Sequence, residues 1–227
     1  LRDHGCTIIG VIEKNQSFFN SKGLDIDAIK NWLIESGDPK NYSNQAELKT
    51  REEVISENCD IYIPAATEGT ISEENYNLLN AKIICEGANG PITSKADQLL
   101  TKKGILIIPD LYANAGGVAV SYFEWVRNLQ HMRFGRMEKR RKEYENASLL
   151  SVIESSTGAK ISSQTKDLLN QGPSEIDLVR SGLEDMMTEA YENMSEIWNQ
   201  NNYDSLRTTA FIYSIKKLIK SYKNIGI

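Results

Sequence analysis

The sequence predicts an α/β fold, a mostly parallel, doubly wound sheet that gives way past residue 115 to a region made of helices. Two observations carry the first part. Short apolar, β-branched runs bounded by turn residues recur at residues 6–12, 60–64, 81–85 and 104–109, as strands buried on both faces of a parallel sheet do. Helical signals fall between them, and strands alternating with helices imply parallel pairing. A third observation marks the change: beyond Ala115 the strand-like runs stop and helical periodicity continues almost to Ile227.

The opening Leu-Arg-Asp-His-Gly reads as a helix end with a glycine stop, so the chain is expected to begin in mid-fold. Residues 6–12 then supply the first strand. An Asp25 cap followed by Ile26, Ile29, Leu33 and Ile34 predicts a helix over 25–35. Further helices are expected near Ser72 and near Ser94, where Ser94 and Asp97 have capping-box spacing. Residues 135–156 carry Arg136, Glu138, Lys139, Arg140, Arg141, Lys142, Glu143 and Glu145 with little apolar content, which predicts an exposed helix. Residues 155–173 are polar and glycine-punctuated, so the two stretches together read as a projection. Leu178, Leu183, Met186, Met187, Ala190, Tyr191, Met194, Ile197 and Trp198 recur at helical spacing over 177–198, a stripe expected to pack, and 206–222 behaves likewise.

Composition excludes several classes. The 227 residues carry 31 acidic and 26 basic side chains, a net charge of −5, so no global basic field recruits nucleic acid or an anionic membrane. No apolar run approaches the roughly 20 residues that span a bilayer. Cys6, Cys59 and Cys85 are odd in number, far apart and beside apolar runs, which predicts reduced, buried thiols. His4 and His131 have no ligand partner at metal spacing, and no catalytic metal is expected.

Ligands of doubly wound sheets bind beyond the carboxyl ends of the strands. After the first strand comes Glu13, an acidic side chain of the kind that accepts hydrogen bonds from adenosine ribose hydroxyls, although acidic residues end many strands. After the later strands come Pro-Ala-Ala-Thr at 64–67, Glu-Gly-Ala-Asn-Gly-Pro at 86–91, and Pro-Asp-Leu-Tyr-Ala-Asn-Ala-Gly-Gly-Val at 109–118. Small residues let backbone approach a flat ligand, and Asn89 and Asn114 offer donors and acceptors. The same residues also suit tight strand-to-helix turns.

In this order and spacing, Glu-Gly-Ala-Asn-Gly-Pro, Ile-Pro-Asp-Leu-Tyr-Ala-Asn-Ala-Gly-Gly-Val and Ser-Tyr-Phe-Glu-Trp resemble glutamate dehydrogenase. The resemblance continues through Asp-Leu-Val-Arg-Ser-Gly-Leu at 177–183 and Leu-Arg-Thr-Thr-Ala-Phe at 206–211. It implies a Rossmann-like coenzyme domain over 1–132, an antenna-like insertion over 133–175 of the kind borne by animal and protist hexamers, and C-terminal helices over 176–227 packing back on the coenzyme domain. It further implies reversible oxidative deamination of L-glutamate to 2-oxoglutarate and ammonia, NAD or NADP as cofactor, a homo-hexamer with allosteric behaviour, and a mitochondrial or otherwise cytoplasmic setting.

By the same resemblance Glu13 would hold the adenosine ribose, Ala65 and Ala66 would border the coenzyme, and Asn89 would contact the nicotinamide ribose. Asn114 would lie by the nicotinamide and the substrate, Val118 would line the substrate pocket, and Ser121 would bond a substrate carboxylate at the start of a helix. The glycine-rich phosphate loop and the acid-base residues would lie upstream of Leu1, so this chain alone is expected to be inactive. Lys14 beside Glu13 tolerates a 2′-phosphate, which leaves NAD and NADP both open. Arg180 and Glu189 depart from the mammalian pattern, which gives no ground for mammalian-type nucleotide control. The competing readings are a leucine- or phenylalanine-type dehydrogenase, which Ser121 and the insertion disfavour, a non-catalytic nucleotide-binding or assembly module, and a methyltransferase, for which the asparagine-rich loops give no support.

Overall fold

A computed structural model of the chain describes all residues except 15, 37–41, 43–45, 131–135, 159, 163, 167–174, 202 and 227. The chain divides into two compact units, Leu1–Asp110 and Leu111–Ile227. The first is α/β and the second, among the described residues, is helical.

The α/β unit holds two three-stranded sheets. In the first, β1 (Gly10–Ile12), β2 (Ser17–Phe19) and β3 (Glu47–Lys49) pair antiparallel in that order. This corrects the expectation for residues 6–12. The strand is shorter, and it pairs with β2 as a hairpin in which the Glu13 N–H donates to the Gln16 carbonyl at 3.2 Å. So short a connection permits only antiparallel pairing. The buried Phe18 explains the fold-back, since it packs with Ile29 of α1 (Ile26–Ser36) and with Tyr42, whose ring meets Phe18 edge-on at 5.5 Å. Gly10 is needed where β1 passes α2 (Arg51–Ile55), because a Cβ there would lie 2.8 Å from Val54 Cγ1. Helix α2 starts at a capping box, with Thr50 Oγ1 accepting the Glu53 N–H and Glu53 accepting the Thr50 N–H.

The second sheet is parallel as expected, with β4 (Cys59–Tyr62), β5 (Ala81–Cys85) and β6 (Leu106–Ile108) in that order. Its core joins Ile55, Ile71, Leu79, Ala81, Ile84, Ile92, Ala96, Leu100, Ile105 and Ile107. The helix expected near Ser72 is only a 3-10 turn at Tyr76–Leu78. There the Asn75 side chain takes the backbone's place, accepting the Ser72 N–H at 2.8 Å and donating to the Thr70 carbonyl at 2.9 Å. The next helix, α3 (Ser94–Lys102), is capped one residue earlier than expected, by Thr93.

After the one-turn α4 (Asp110–Ala113), the second unit comprises α5 (Ala115–Gln130), α6 (Arg136–Thr157), α7 (Glu175–Asn201) and α8 (Leu206–Ile225). Helix α7 packs against both α5 and α8. Gly116 of α5 faces Leu183 of α7, whose Cδ1 would lie 3.4 Å from a Cβ at that position. Met194 on α7 and Leu206, Thr209 and Ala210 on α8 are buried. Met186 and Tyr191 of the expected stripe and Phe211, Ile215, Leu218, Ile219 and Tyr222 of α8 are exposed, so the expected stripes pack only in part. Helix α6 is exposed as its charge pattern predicts, yet it also exposes Tyr144, Leu149, Val152 and Ile153. Residues 131–135 and 167–174, which fall in or beside the expected projection, lie outside the described residues.

All three cysteines are free thiols. Cys59 and Cys85 are half-buried, and burial, reinforced by Asp60 and Glu86 respectively, pushes both thiols above the ordinary range. Cys6 is exposed, contrary to expectation, because regular pairing begins only at Gly10. Among the described residues no helix is long and apolar enough to cross a membrane, and no group of three or more His, Cys, Asp or Glu side chains is arranged to hold a metal ion.

Candidate functional site

The carboxyl ends of β4, β5 and β6 form one edge of the parallel sheet, where the motifs at 64–67, 86–91 and 109–110 emerge. The three turns are stitched together. The Pro64 carbonyl accepts two amides from the neighbouring turn, Gly87 at 3.1 Å and Ala88 at 2.9 Å. Gly87 cannot carry a side chain without displacement, since a Cβ there would lie 3.1 Å from Ala65 Cβ. The Glu86 N–H continues the ladder to the Ile108 carbonyl at 3.1 Å, and the Gly69 N–H closes on the Gly90 carbonyl at 2.9 Å. Gly90 takes φ +52°, a left-handed conformation that favours glycine.

Side chains complete the stitching. The Glu86 carboxylate accepts the Asp110 N–H at 2.7 Å, and the Asp110 carboxylate accepts the Gly90 N–H at 2.8 Å. Glu86 is fully buried. The sequence reading passed over both residues as parts of a motif. A signal was present, because Glu86 continues the alternation of Ile84, and period two puts both on one face of the strand.

Of the sequence-predicted residues, Ala65, Ala66 and Asn89 lie exposed along this edge. Small exposed residues on a stitched backbone leave a surface that a flat ring and a sugar can approach, so the edge suits the nicotinamide-ribose half of a dinucleotide. Glu13 is exposed at the β1–β2 turn with Lys14, also exposed, next to it.

Asn114, Val118 and Ser121 belong to the helical unit. Asn114 precedes α5 and its carbonyl accepts the Gly117 N–H at 3.3 Å. Val118 is 75% exposed, and Ser121 is exposed one turn further along. Ser121 is not at the start of the helix, which corrects the sequence expectation. Helix α5 begins at Ala115, so the amide of Ser121 is already within the helical ladder, and its hydroxyl donates to the Gly117 carbonyl at 3.1 Å. A separate shallow cleft is lined by Glu154, Lys160 and Lys166, with Glu154 paired to Lys166 at 2.9 Å. It contains none of the predicted residues.

A parallel sheet whose carboxyl edge carries small residues, glycines and asparagine is an α/β arrangement of the kind that binds ligands beyond its strand ends. The model of the Glutamate/Leucine/Phenylalanine/Valine dehydrogenase family matches residues 1–170, and the chain belongs to that family. Among its relatives is a mitochondrial glutamate dehydrogenase of Dictyostelium discoideum, 40% identical over 98% of this chain and 44% of the relative. A probable glutamate dehydrogenase of Sinorhizobium fredii is 39% identical over 91% of this chain and 47% of the relative. The chain thus spans about half the length of the curated relatives it matches. In fold it is similar to the hetero-hexameric glutamate dehydrogenase of Thermus thermophilus in its leucine-bound form, with TM-score 0.72 and 19% identity over 100% of this chain and 43% of that one.

Proposed function

We propose that the chain supplies the coenzyme side of the cleft in an enzyme that oxidatively deaminates L-glutamate to 2-oxoglutarate and ammonia. The observation that carries this reading is the stitched carboxyl edge of the parallel sheet, with Ala65, Ala66 and Asn89 exposed along it, in a chain of this dehydrogenase family. The nicotinamide of NAD or NADP would take the hydride released from the substrate carbon. Ala65 and Ala66 would border that ring, Asn89 would bond its ribose, and Glu13 would bond the adenosine ribose hydroxyls. Asn114 would lie by the nicotinamide and the substrate, Val118 would line the side-chain pocket, and Ser121 would bond a substrate carboxylate by exchanging its bond to Gly117.

In this reading residues 1–132 form the coenzyme region, 133–175 form an antenna-like contact between subunits, and 176–227 are helices supporting the coenzyme region. The assembly would be a homo-hexamer, and the kinship with a mitochondrial relative supports the mitochondrial matrix as its setting.

The test is the coenzyme preference of the full-length enzyme and its Glu13→Ser variant. A carboxylate bonding two ribose hydroxyls is worth about 1.5 to 3 kcal/mol, so kcat/KM for NAD falls roughly ten- to a hundredfold. NADP improves, because Lys14 then meets a 2′-phosphate without an opposing charge. An unchanged NAD to NADP ratio, or no glutamate-dependent reduction of either coenzyme by the unaltered enzyme, contradicts the reading.

A further inference from the structure

A fully buried carboxylate at a strand end demands explanation, because burying a charged or strongly polar group is costly unless hydrogen bonds compensate. Glu86 sits there between Cys85 and Gly87, and the backbone amide that its Oε2 receives belongs to Asp110, on the turn after the neighbouring strand. Asp110 returns the favour by taking the Gly90 amide from the turn that Glu86 begins. Each of two adjacent turns therefore presents a carboxylate to a backbone N–H of the other. In both bonds the donor is a backbone N–H and the side-chain oxygen accepts, so any side chain that keeps an acceptor oxygen in place can keep the bond. Between the two anchored points lie Gly87, Ala88 and Asn89, and Gly87 and Ala88 are held from the other side by the Pro64 carbonyl.

We propose that Glu86 and Asp110 are positioning residues, a reciprocal clasp that holds the 87–90 turn in the conformation that presents Asn89 to the coenzyme. This rests on the coenzyme reading above for the ligand, but the clasp itself is a property of the unliganded chain. The clasp acts directly on the left-handed Gly90, whose amide is the group that Asp110 receives. With the clasp opened, the turn stays attached through the Pro64 carbonyl and through the Gly69 N–H on the Gly90 carbonyl, but the segment between those points samples other conformations. Asn89 is then out of place for part of the time, and coenzyme affinity falls by the fraction of time lost.

Two readouts on the full-length protein test this. In Asp110→Ala, amide hydrogen exchange of residues 87–90 speeds up at least tenfold while the amides of 81–85 keep their protection. KM for the coenzyme rises at least tenfold, with KM for glutamate and kcat within about threefold. Glu86→Leu does the same, and because that buried site is the riskier for folding, Asp110→Ala decides the matter if Glu86→Leu does not accumulate. Glu86→Gln and Asp110→Asn, which keep an acceptor oxygen, restore both readouts to within about threefold of the unaltered protein. Unchanged exchange at 87–90 in Asp110→Ala, or failure of the acceptor-keeping variants to restore it, overturns the clasp. A clear exchange effect in a protein that binds neither NAD nor NADP supports the clasp and rejects the coenzyme reading. An exchange effect without a coenzyme effect, in a protein that does bind coenzyme, leaves a loop brace and overturns the positioning role.

Discussion

The carboxyl edge of the parallel sheet and the exposed face of α5 carry predicted site residues by different physical means. At the sheet edge, backbone bonds from Pro64, Ile108 and Gly90 and side-chain bonds from Glu86 and Asp110 fix each turn against its neighbours. On α5, Val118 and Ser121 stand on an ordinary helix whose own ladder fixes the backbone, with their side chains exposed. The contrast teaches where sensitivity lies. A change of one carbon atom in the stitched turns propagates to several loops, whereas a change on the helix face alters only the contact made by that side chain.

The largest effect is expected at Gly87. Its Cβ position lies 3.1 Å from Ala65 Cβ and 3.4 Å from Ile63 Cγ2, so Gly87→Val forces the first two turns apart. Overpacking of this kind costs about 1 to 3 kcal/mol of stability. Displacing Ala65 and Asn89 together should also lower coenzyme affinity at least a hundredfold. Thermal unfolding and coenzyme titration of the full-length enzyme check both, and a variant with normal coenzyme affinity would show that the edge is not the coenzyme surface.

A smaller effect is expected on the helix. Ser121→Ala should raise KM for glutamate about five- to tenfold with KM for the coenzyme unchanged. The hydroxyl already bonds Gly117 at 3.1 Å, so the substrate contact replaces a bond and contributes about 1 to 1.4 kcal/mol, less than the roughly 1.5 to 3 kcal/mol of a charge-assisted hydrogen bond gained outright. Steady-state kinetics with each substrate varied in turn would detect it. A change confined to the coenzyme would move Ser121 to the other half of the site.

How much of this was legible beforehand follows the same contrast. Strand β5 was read at its observed bounds, and the readings at 60–64 and 104–109 overlap β4 and the shorter β6, because each run is rich in apolar residues. The motif turns after them were legible for the same reason. The expectation of burial on both faces is corrected, since Lys82 of β5 and Asp60 and Ile61 of β4 are exposed. Strand β2 was missed because Ser17–Phe19 is too short to show a period, and the burial of Phe18 depends on the distant Ile29 and Tyr42. Strand β3 was missed because Glu47–Lys49 is largely exposed and carries a single apolar residue, Leu48, too little to show a period. The start of α5, at Ala115, was not legible because Ala-Gly-Gly suits a loop in sequence as well as a helix.

The smallest effect lies in the capping box of α2. Thr50→Ala should lower stability by about 1 kcal/mol without changing activity. The Thr50 amide and hydroxyl hold the Glu53 carboxyl below its ordinary value. A depressed carboxyl stabilises the fold above its unfolded pKa, so the Glu53 contribution is present at neutral pH and is lost as pH falls through the lower folded value. Unfolding of the unaltered protein and of Glu53→Gln, compared at neutral and acid pH, should therefore differ at neutrality and converge in acid. A difference that grows in acid would contradict the capping assignment.

The central claim, that the carboxyl edge of β4–β6 is the coenzyme surface, is tested most directly by a crystal structure of the full-length enzyme with its oxidised coenzyme bound. The account predicts the nicotinamide ring against Ala65 and Ala66, its ribose within hydrogen-bond distance of Asn89, and the 87–90 turn in the clasped conformation described above. Coenzyme bound elsewhere, with residues 64–67 and 86–91 bare, would contradict it.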